Sequence, residues 1–219
     1  MSVMKPEDVE VKQLYDRSAR FPAFLYLDAL FGRATENSIY RKKAIAFLKL
    51  TTNSTVLDVA CGIGFNFKII ESYLKNSGKL VGVDISPESL KFARRRIAKH
   101  KWTNIELVNA SITDYEPETI FDAALCTFAM EVIPDYKGAI DRIFNLLKPG
   151  GRFAMIGMKL STRTPYRLFN PIVDWFNRTG GIDTHRDIAS HIETKFKKID
   201  YYEECFFGYY YILATHKPA

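Results

Sequence analysis

Cysteine is scarce: Cys61, Cys126 and Cys205 are the three in 219 residues, far apart and without a CxxC pair. That pattern excludes a disulfide framework, offers no zinc-ligand set, and fits free thiols in a reducing compartment. Long apolar runs are missing too. The opening MSVMKPEDVEVKQ lacks the apolar core of a secretory leader. The most apolar early stretch, Phe21 to Phe31, is interrupted by Asp28 and is too short to span a bilayer, so a cytoplasmic location is expected. There is no internal repeat and no low-complexity segment. Acids are in deficit, 25 against 31 Lys and Arg, which leaves a net charge of +6 that favours anionic partners without naming one. The densest basic run, Arg94-Arg95-Arg96 with Lys99 and Lys101, reads as a solvated helix face.

What is present is enough for one packed α/β domain: 47% of residues are hydrophobic and 14% aromatic. Apolar strand-like runs alternate with helix-period segments, the pattern of a parallel sheet. The strands are expected at Thr55–Ala60, Leu80–Asp84, Ile105–Asn109, Phe121–Phe128 and Arg152–Met158. Ser86 is placed to cap a helix that starts at Pro87 and shows Leu90, Ala93 and Ile97 on one face. Ile140, Ile143 and Leu147 form a second stripe, stopped by Pro149-Gly150-Gly151. Tyr40, Ala44, Phe47 and Leu48 recur at helical spacing and are expected to pack on the sheet. Residues 160–185 read as loop or short helix with exposed-looking aromatics (Tyr166, Phe169, Trp175 and Phe176), and Phe196–Phe207 and Tyr209–Thr215 read as a terminal antiparallel pair. The expected fold is therefore α/β, a Rossmann-like, mainly parallel seven-stranded sheet with helices on both faces and an antiparallel C-terminal strand pair. Residues 1–219 form a single domain in this reading, with a helical cover (1–50), a cofactor-binding core (51–160) and an acceptor-side remainder (161–219).

One segment carries the chemistry, VLDVACGIGFNF, Val56 to Phe67. A buried strand enters a glycine turn and then a helix, and Gly62 and Gly64 let the backbone turn tightly beside a ligand. Twenty residues past Gly64, KLVGVD ends in Asp84 at the carboxyl edge of the next strand, where an acid suits both hydroxyls of an adenosine ribose. A dinucleotide site wants a third glycine close to the pyrophosphate, but Phe67 holds that position and Ala60 and Cys61 precede the pair. Asp58 instead suits a phosphate-free ligand bearing an ammonium and a sulfonium, which is S-adenosyl-L-methionine.

These residues resemble the class I S-adenosylmethionine-dependent methyltransferases, in the small-molecule branch, over about residues 40–160. VLDVACGIGF is similar to that family's first motif and VGVDIS to its second. LVNASITDY is similar to its adenine-reading turn, FDAALCTFAMEVIPD to its fourth strand, and LLKPGGRFAM to the entry of its fifth. The resemblance implies that Asp58, Ala60, Cys61, Gly62 and Gly64 line the methionine and ribose side. It implies that Asp84 holds the ribose with Ile85 on the adenine, that Ser111 and Ile112 lie at the adenine edge, and that Thr127 faces the methionine portion. Ser111 stands where many relatives have an aspartate, so backbone from Ala110 to Ile112 would share that contact.

The acceptor must be read outside the core. Thr127-Phe128-Ala129-Met130 replaces the Asn-Pro-Pro-Tyr or Asp-Pro-Pro-Tyr turn of amino-methylating enzymes, and no basic groove with interleaved aromatics is visible, so nucleic acid is disfavoured. Leu14 to Glu36 and Thr164 to Phe176 mix aromatics with arginines, as a lid over an amphipathic or lipid-like acceptor would. They resemble phospholipid N-methyltransferases and quinone-ring methyltransferases, although Pro22 stands where many of those carry a second tyrosine. Tyr15 is the candidate for closing over the donor, and His185, ahead of His191, for a base if the acceptor is a hydroxyl. Two other readings remain open: a non-catalytic donor-binding module acting through a protein partner, and a nicotinamide oxidoreductase, against which Phe67 counts. Arg33, Arg41, Lys42 and Lys43 also offer a peripheral contact with an anionic membrane.

Overall fold

A computed structural model describes residues 6–20 and 38–219, apart from the side chains of residues 17–20. A seven-stranded sheet runs in the order β3-β2-β1-β4-β5-β7-β6. The strands are β1 (Thr55–Val59), β2 (Lys79–Asp84), β3 (Ile105–Asn109), β4 (Phe121–Thr127), β5 (Leu147–Met158), β6 (Tyr201–Cys205) and β7 (Tyr210–His216). β1 to β5 pair in parallel, while β7 lies antiparallel to both β5 and β6. β1, β2 and β4 are buried on both faces, so their near-continuous apolar runs are what a parallel sheet covered by helices requires.

Described helices are α1 (Pro6–Arg20), α2 (Ile39–Ala46), α3 (Phe67–Leu74), α4 (Pro87–His100), α5 (Tyr136–Leu146), α6 (Asn170–Thr179) and α7 (Ile188–Phe196). α2, α3 and α4 bury Ala44, Ile45, Ile70, Leu74, Leu90 and Ala93 against one sheet face. α5 and α7 bury Ala139, Ile140, Ile143, Ile188, Ile192 and Phe196 against the other. α4 starts as expected, with Pro87 in its first turn and the Ser86 hydroxyl accepting from the Ser89 amide at 3.1 Å.

Three expectations shift. The α2 stripe buries Arg41, Ala44, Ile45 and Leu48, whereas Tyr40 and Phe47 are half-buried, so the inward face is turned by one residue. Phe196 ends a helix instead of opening a strand. It completes the Ile188, Ile192, Phe196 stripe and stacks on Phe153 with ring centroids 5.8 Å apart, leaving the strand to begin at Tyr201. Leu147 already belongs to β5, because its backbone is extended where α5 stops.

Strand order reverses between β1 and β4, and the crevice above their carboxyl ends is where open α/β sheets receive ligands. Two residues without glycine's freedom adopt left-handed backbone at that edge, Ala60 at φ 51° after β1 and Phe128 at φ 57° after β4. Such conformations persist where the surrounding packing over-determines them, and they concentrate at ligand sites.

Candidate functional site

A cavity of about 220 Å³ opens at this edge. Its floor is the β1 turn: Ala60, Cys61, Gly62 and Ile63, with Phe65 beyond. Gly62 is left-handed at φ 54°, and a Cβ built there would meet nothing within 4 Å, so the backbone faces open space. Gly64 serves differently. It does not line the cavity, and at φ 81° a Cβ on it would sit 2.6 Å from the Phe67 ring, so glycine is required to let the helix entry close over that phenyl group.

Asp84 forms the next wall. Its carboxylate accepts from the Gly62 amide at 2.7 Å and the Ser86 amide at 2.8 Å, tying the glycine turn to the α4 cap. Burial pushes its pKa up to about 6, against the pull of those two amides. Ile85, Ala110, Ser111 and Ile112 continue the wall from β2 and β3. The Ser111 hydroxyl pairs with Thr113 Oγ1 at 3.0 Å.

On the β4 side the lining includes Thr127 and Arg41. Sequence reading assigned Arg41 to an exposed membrane-facing group, but α2 turns it inward. It is buried, and its guanidinium donates to Asn66 Oδ1 at 2.6 Å and Thr127 Oγ1 at 2.5 Å. Asn66 in turn donates to Asp58 Oδ1 at 2.8 Å. Asp58 is fully buried behind this layer and reaches the cavity wall through Asn66 and Arg41. Desolvation raises its pKa to about 7 despite the Asn66 bond and the Arg41 charge, and Asp58 Oδ2 has no hydrogen-bond partner among the described residues. Arg41 and Asn66 are the residues that sequence reasoning missed. The available signal was an arginine four and seven residues before the apolar Ile45 and Leu48, on the buried stripe of a helix.

The rest of the cavity is mainly apolar. Phe128, Ala129, Val132, Ile133 and Pro134 follow β4, Met158 ends β5, and Ile182 comes from the loop after α6. α1 crosses above with Asp8, Val11 and Tyr15 on its cavity side, spaced as one helical face. It is tied down where Ser86 Oγ donates to Asp16 Oδ1 at 2.6 Å. Tyr15 thus joins the cavity lining. His185 does not. It lies exposed beyond α6, with Nε2 3.1 Å from Asp174 Oδ1. His191 is also remote, on α7 beside Tyr136. Of the expected lid, residues 21–36 lie outside the described residues, with Pro22 and Arg33 among them.

The geometry suits an adenosyl amino acid. An acid faces the open glycine turn, as ribose hydroxyls require. A guanidinium at the far wall can meet a carboxylate, and the fully buried Asp58 carboxylate lies behind it, screened by Asn66. Among the described residues no cluster of His, Cys, Asp and Glu could hold a metal ion.

Residues 50–208 match the family model described as methyltransferase domain. The chain is 27% identical over 186 residues to demethylmenaquinone methyltransferase of Symbiobacterium thermophilum, covering 78% of this chain and 72% of that protein. It is 29% identical over 130 residues to the same-named protein of Oceanobacillus iheyensis, covering 58% of this chain and 54%, about half, of that relative. Among solved structures, Haemonchus contortus phosphoethanolamine N-methyltransferase 2 in complex with S-adenosyl-L-methionine superposes with a TM-score of 0.74 at 18% identity, over 100% of this chain and 61% of that one. An Aquifex aeolicus S-adenosylmethionine-dependent methyltransferase gives a TM-score of 0.64 at 18% identity, over 81% of this chain and 89% of that one.

Proposed function

This chain belongs to the methyltransferase-domain family and is an S-adenosylmethionine-dependent enzyme, and we propose that its acceptor is a small amphipathic or lipid-like molecule, of the class that includes phospholipid amines, quinone rings and thiols. The observation that carries the acceptor reading is the apolar wall of Phe128, Val132, Ile133, Met158 and Ile182, closed from above by Val11 and Tyr15. The demethylmenaquinone methyltransferases it resembles support the same class.

The bound donor supplies a methyl group already activated on a sulfonium. The chain's own residues orient, exclude water and hold charge. Asp84 would accept from the ribose hydroxyls while its amide bonds keep the glycine turn fixed. Ile85 and Ile112 would flank the adenine, with Ser111 and the neighbouring backbone at its edge. Arg41, held by Asn66 and Thr127, would meet the donor's carboxylate, and Asp58 would balance its ammonium. The apolar wall and Tyr15 would keep water from the transfer point and align the acceptor, effects that carry much of the acceleration when the electrophile is already activated. No base is assigned to His185, whose ring lies outside the cavity lining.

Incubating the protein with methyl-labelled donor and separate pools of quinones, phospholipids and alkyl thiols tests the reading. Label should enter a product that partitions into organic solvent. Label confined to water-soluble metabolites would remove the lipid-like acceptor and leave the family assignment standing.

A further inference from the structure

α6 turns part of its apolar surface to water, while Val173 and Phe176 are half-buried. Its buried residue is the polar Asn177, and Asn170 at its start donates to the Ser161 carbonyl at 2.9 Å. Its outward side, continued from the short 3-10 turn Tyr166–Phe169, carries Leu168, Ile172 and Trp175 at 72%, 68% and 68% exposure. Their spacing of four and three residues makes one stripe. Phe169 and Phe207 widen it, both more than half exposed, and Phe207 is held there by stacking on Tyr166 with centroids 4.5 Å apart. Monomeric soluble proteins rarely leave large side chains clustered in water, and such patches mark interaction surfaces.

The charge around the stripe narrows the partner. Residues 159–179 hold four cations, Lys159, Arg163, Arg167 and Arg178, against one acid, Asp174. Arg163 pairs with Glu204 and Arg178 with Asp174, while Arg167 is exposed and no acidic partner is found for it among the described residues. A Trp, Phe and Leu surface bordered by arginines is the composition of an interfacial helix that lies in the headgroup region of an anionic bilayer. No helix among the described residues is long and apolar enough to cross one. The patch also adjoins the site: α6 leads through Gly180 and Gly181 to Ile182, which lines the apolar end of the cavity.

We infer that the Leu168, Ile172 and Trp175 face docks this protein on the surface of an anionic lipid membrane. The surface is distinct from the one the sequence suggested, since Arg41 points into the cavity and Lys43 is paired with Glu203. It does not depend on which acceptor is methylated, and its test needs no turnover.

Trp102 and Trp175 are the two tryptophans, so Trp102→Phe in the full chain leaves Trp175 as the reporter. With phosphatidylcholine vesicles containing about a third phosphatidylglycerol, Trp175 emission should shift to the blue and resist acrylamide quenching, and salt should reverse both. Pure phosphatidylcholine should give neither. Arg167→Glu, worth two charges, should weaken partition roughly thirtyfold on the usual scale for a basic residue at such a surface. Ile172→Ser should abolish it with an unchanged melting temperature. The inference is overturned if Trp175 stays in water while the protein sediments with the vesicles, or if neutral and anionic vesicles act alike. It is equally overturned if sedimentation velocity finds a dimer that Ile172→Ser dissolves, because the face would then be covered by a second copy.

Discussion

Replacing Asp84 by Asn separates a binding role from a structural one. The carboxylate is held by two amides, from Gly62 at 2.7 Å and Ser86 at 2.8 Å, and burial moves its pKa from 3.8 to about 6. Keeping it ionised at pH 8 therefore costs the fold on the order of 3 kcal/mol. Asparagine removes that cost, which is already net of the two amide bonds, but turns its NH₂ to one of the amides and leaves that buried N–H without an acceptor, at about 1–3 kcal/mol. The two changes nearly cancel, and stability should stay within about 1.5 kcal/mol of the parent. Donor affinity has no such compensation. The ribose loses a charged acceptor, so the dissociation constant for S-adenosylhomocysteine should rise about 10- to 150-fold. Calorimetric titration at pH 8, with denaturant unfolding of the same preparations, reads both quantities. An affinity within about threefold of the parent would refute the ribose role, and a collapse in stability with affinity intact would make Asp84 a strut of the glycine turn only.

Gly64→Ala should destabilise the fold by about 1–3 kcal/mol, since it combines a left-handed backbone with a Cβ 2.6 Å from the Phe67 ring, and urea unfolding measures it. Donor affinity should rise with pH through about 7, because Asp58 must lose its proton to balance an ammonium, and calorimetry in buffers of different ionisation heat should detect proton release on binding. Arg41→Gln removes the positive charge that lowers the Asp58 pKa, so that midpoint should move to higher pH; an unmoved midpoint would detach Asp58 from the profile. Glu131 is fully buried with its pKa raised by desolvation from 4.5 to about 7, so its contribution to stability is present below pH 4.5 and lost as pH rises through 7. Glu131→Gln keeps an acceptor for the Met158 amide at 2.8 Å and should flatten that decline, giving a variant more stable than the parent at pH 8 in thermal unfolding.

Much of the core was legible because its physics is local. The strands that are buried on both faces, β1, β2 and β4, announce themselves as apolar runs, and the Ser86-Pro87 start of α4 is written in adjacent residues. Gly62 and Asp84 were readable for the same reason, a turn and a strand end at fixed spacing. Arg41 was not. Its burial depends on one-residue rotation of α2 against the sheet and on partners 25 and 86 positions away, Asn66 and Thr127, so composition alone marked it as surface charge. Asp58 was readable as an acid at the strand end but not as one screened from the cavity by Asn66. The exposure of Phe169 and Trp175 was readable, but the stripe that joins Trp175 to Leu168 and Ile172 was not, because periodicity gives an apolar stripe without the direction in which it faces.

The most direct measurement is a crystal structure of the full chain with S-adenosylhomocysteine. The ribose hydroxyls should lie within hydrogen-bond reach of Asp84, with the amino-acid end toward Arg41 and Thr127 and the sulfur facing the apolar wall of Val132 and Met158. A product seated elsewhere, or the reverse orientation with adenine beside Arg41, would contradict the account.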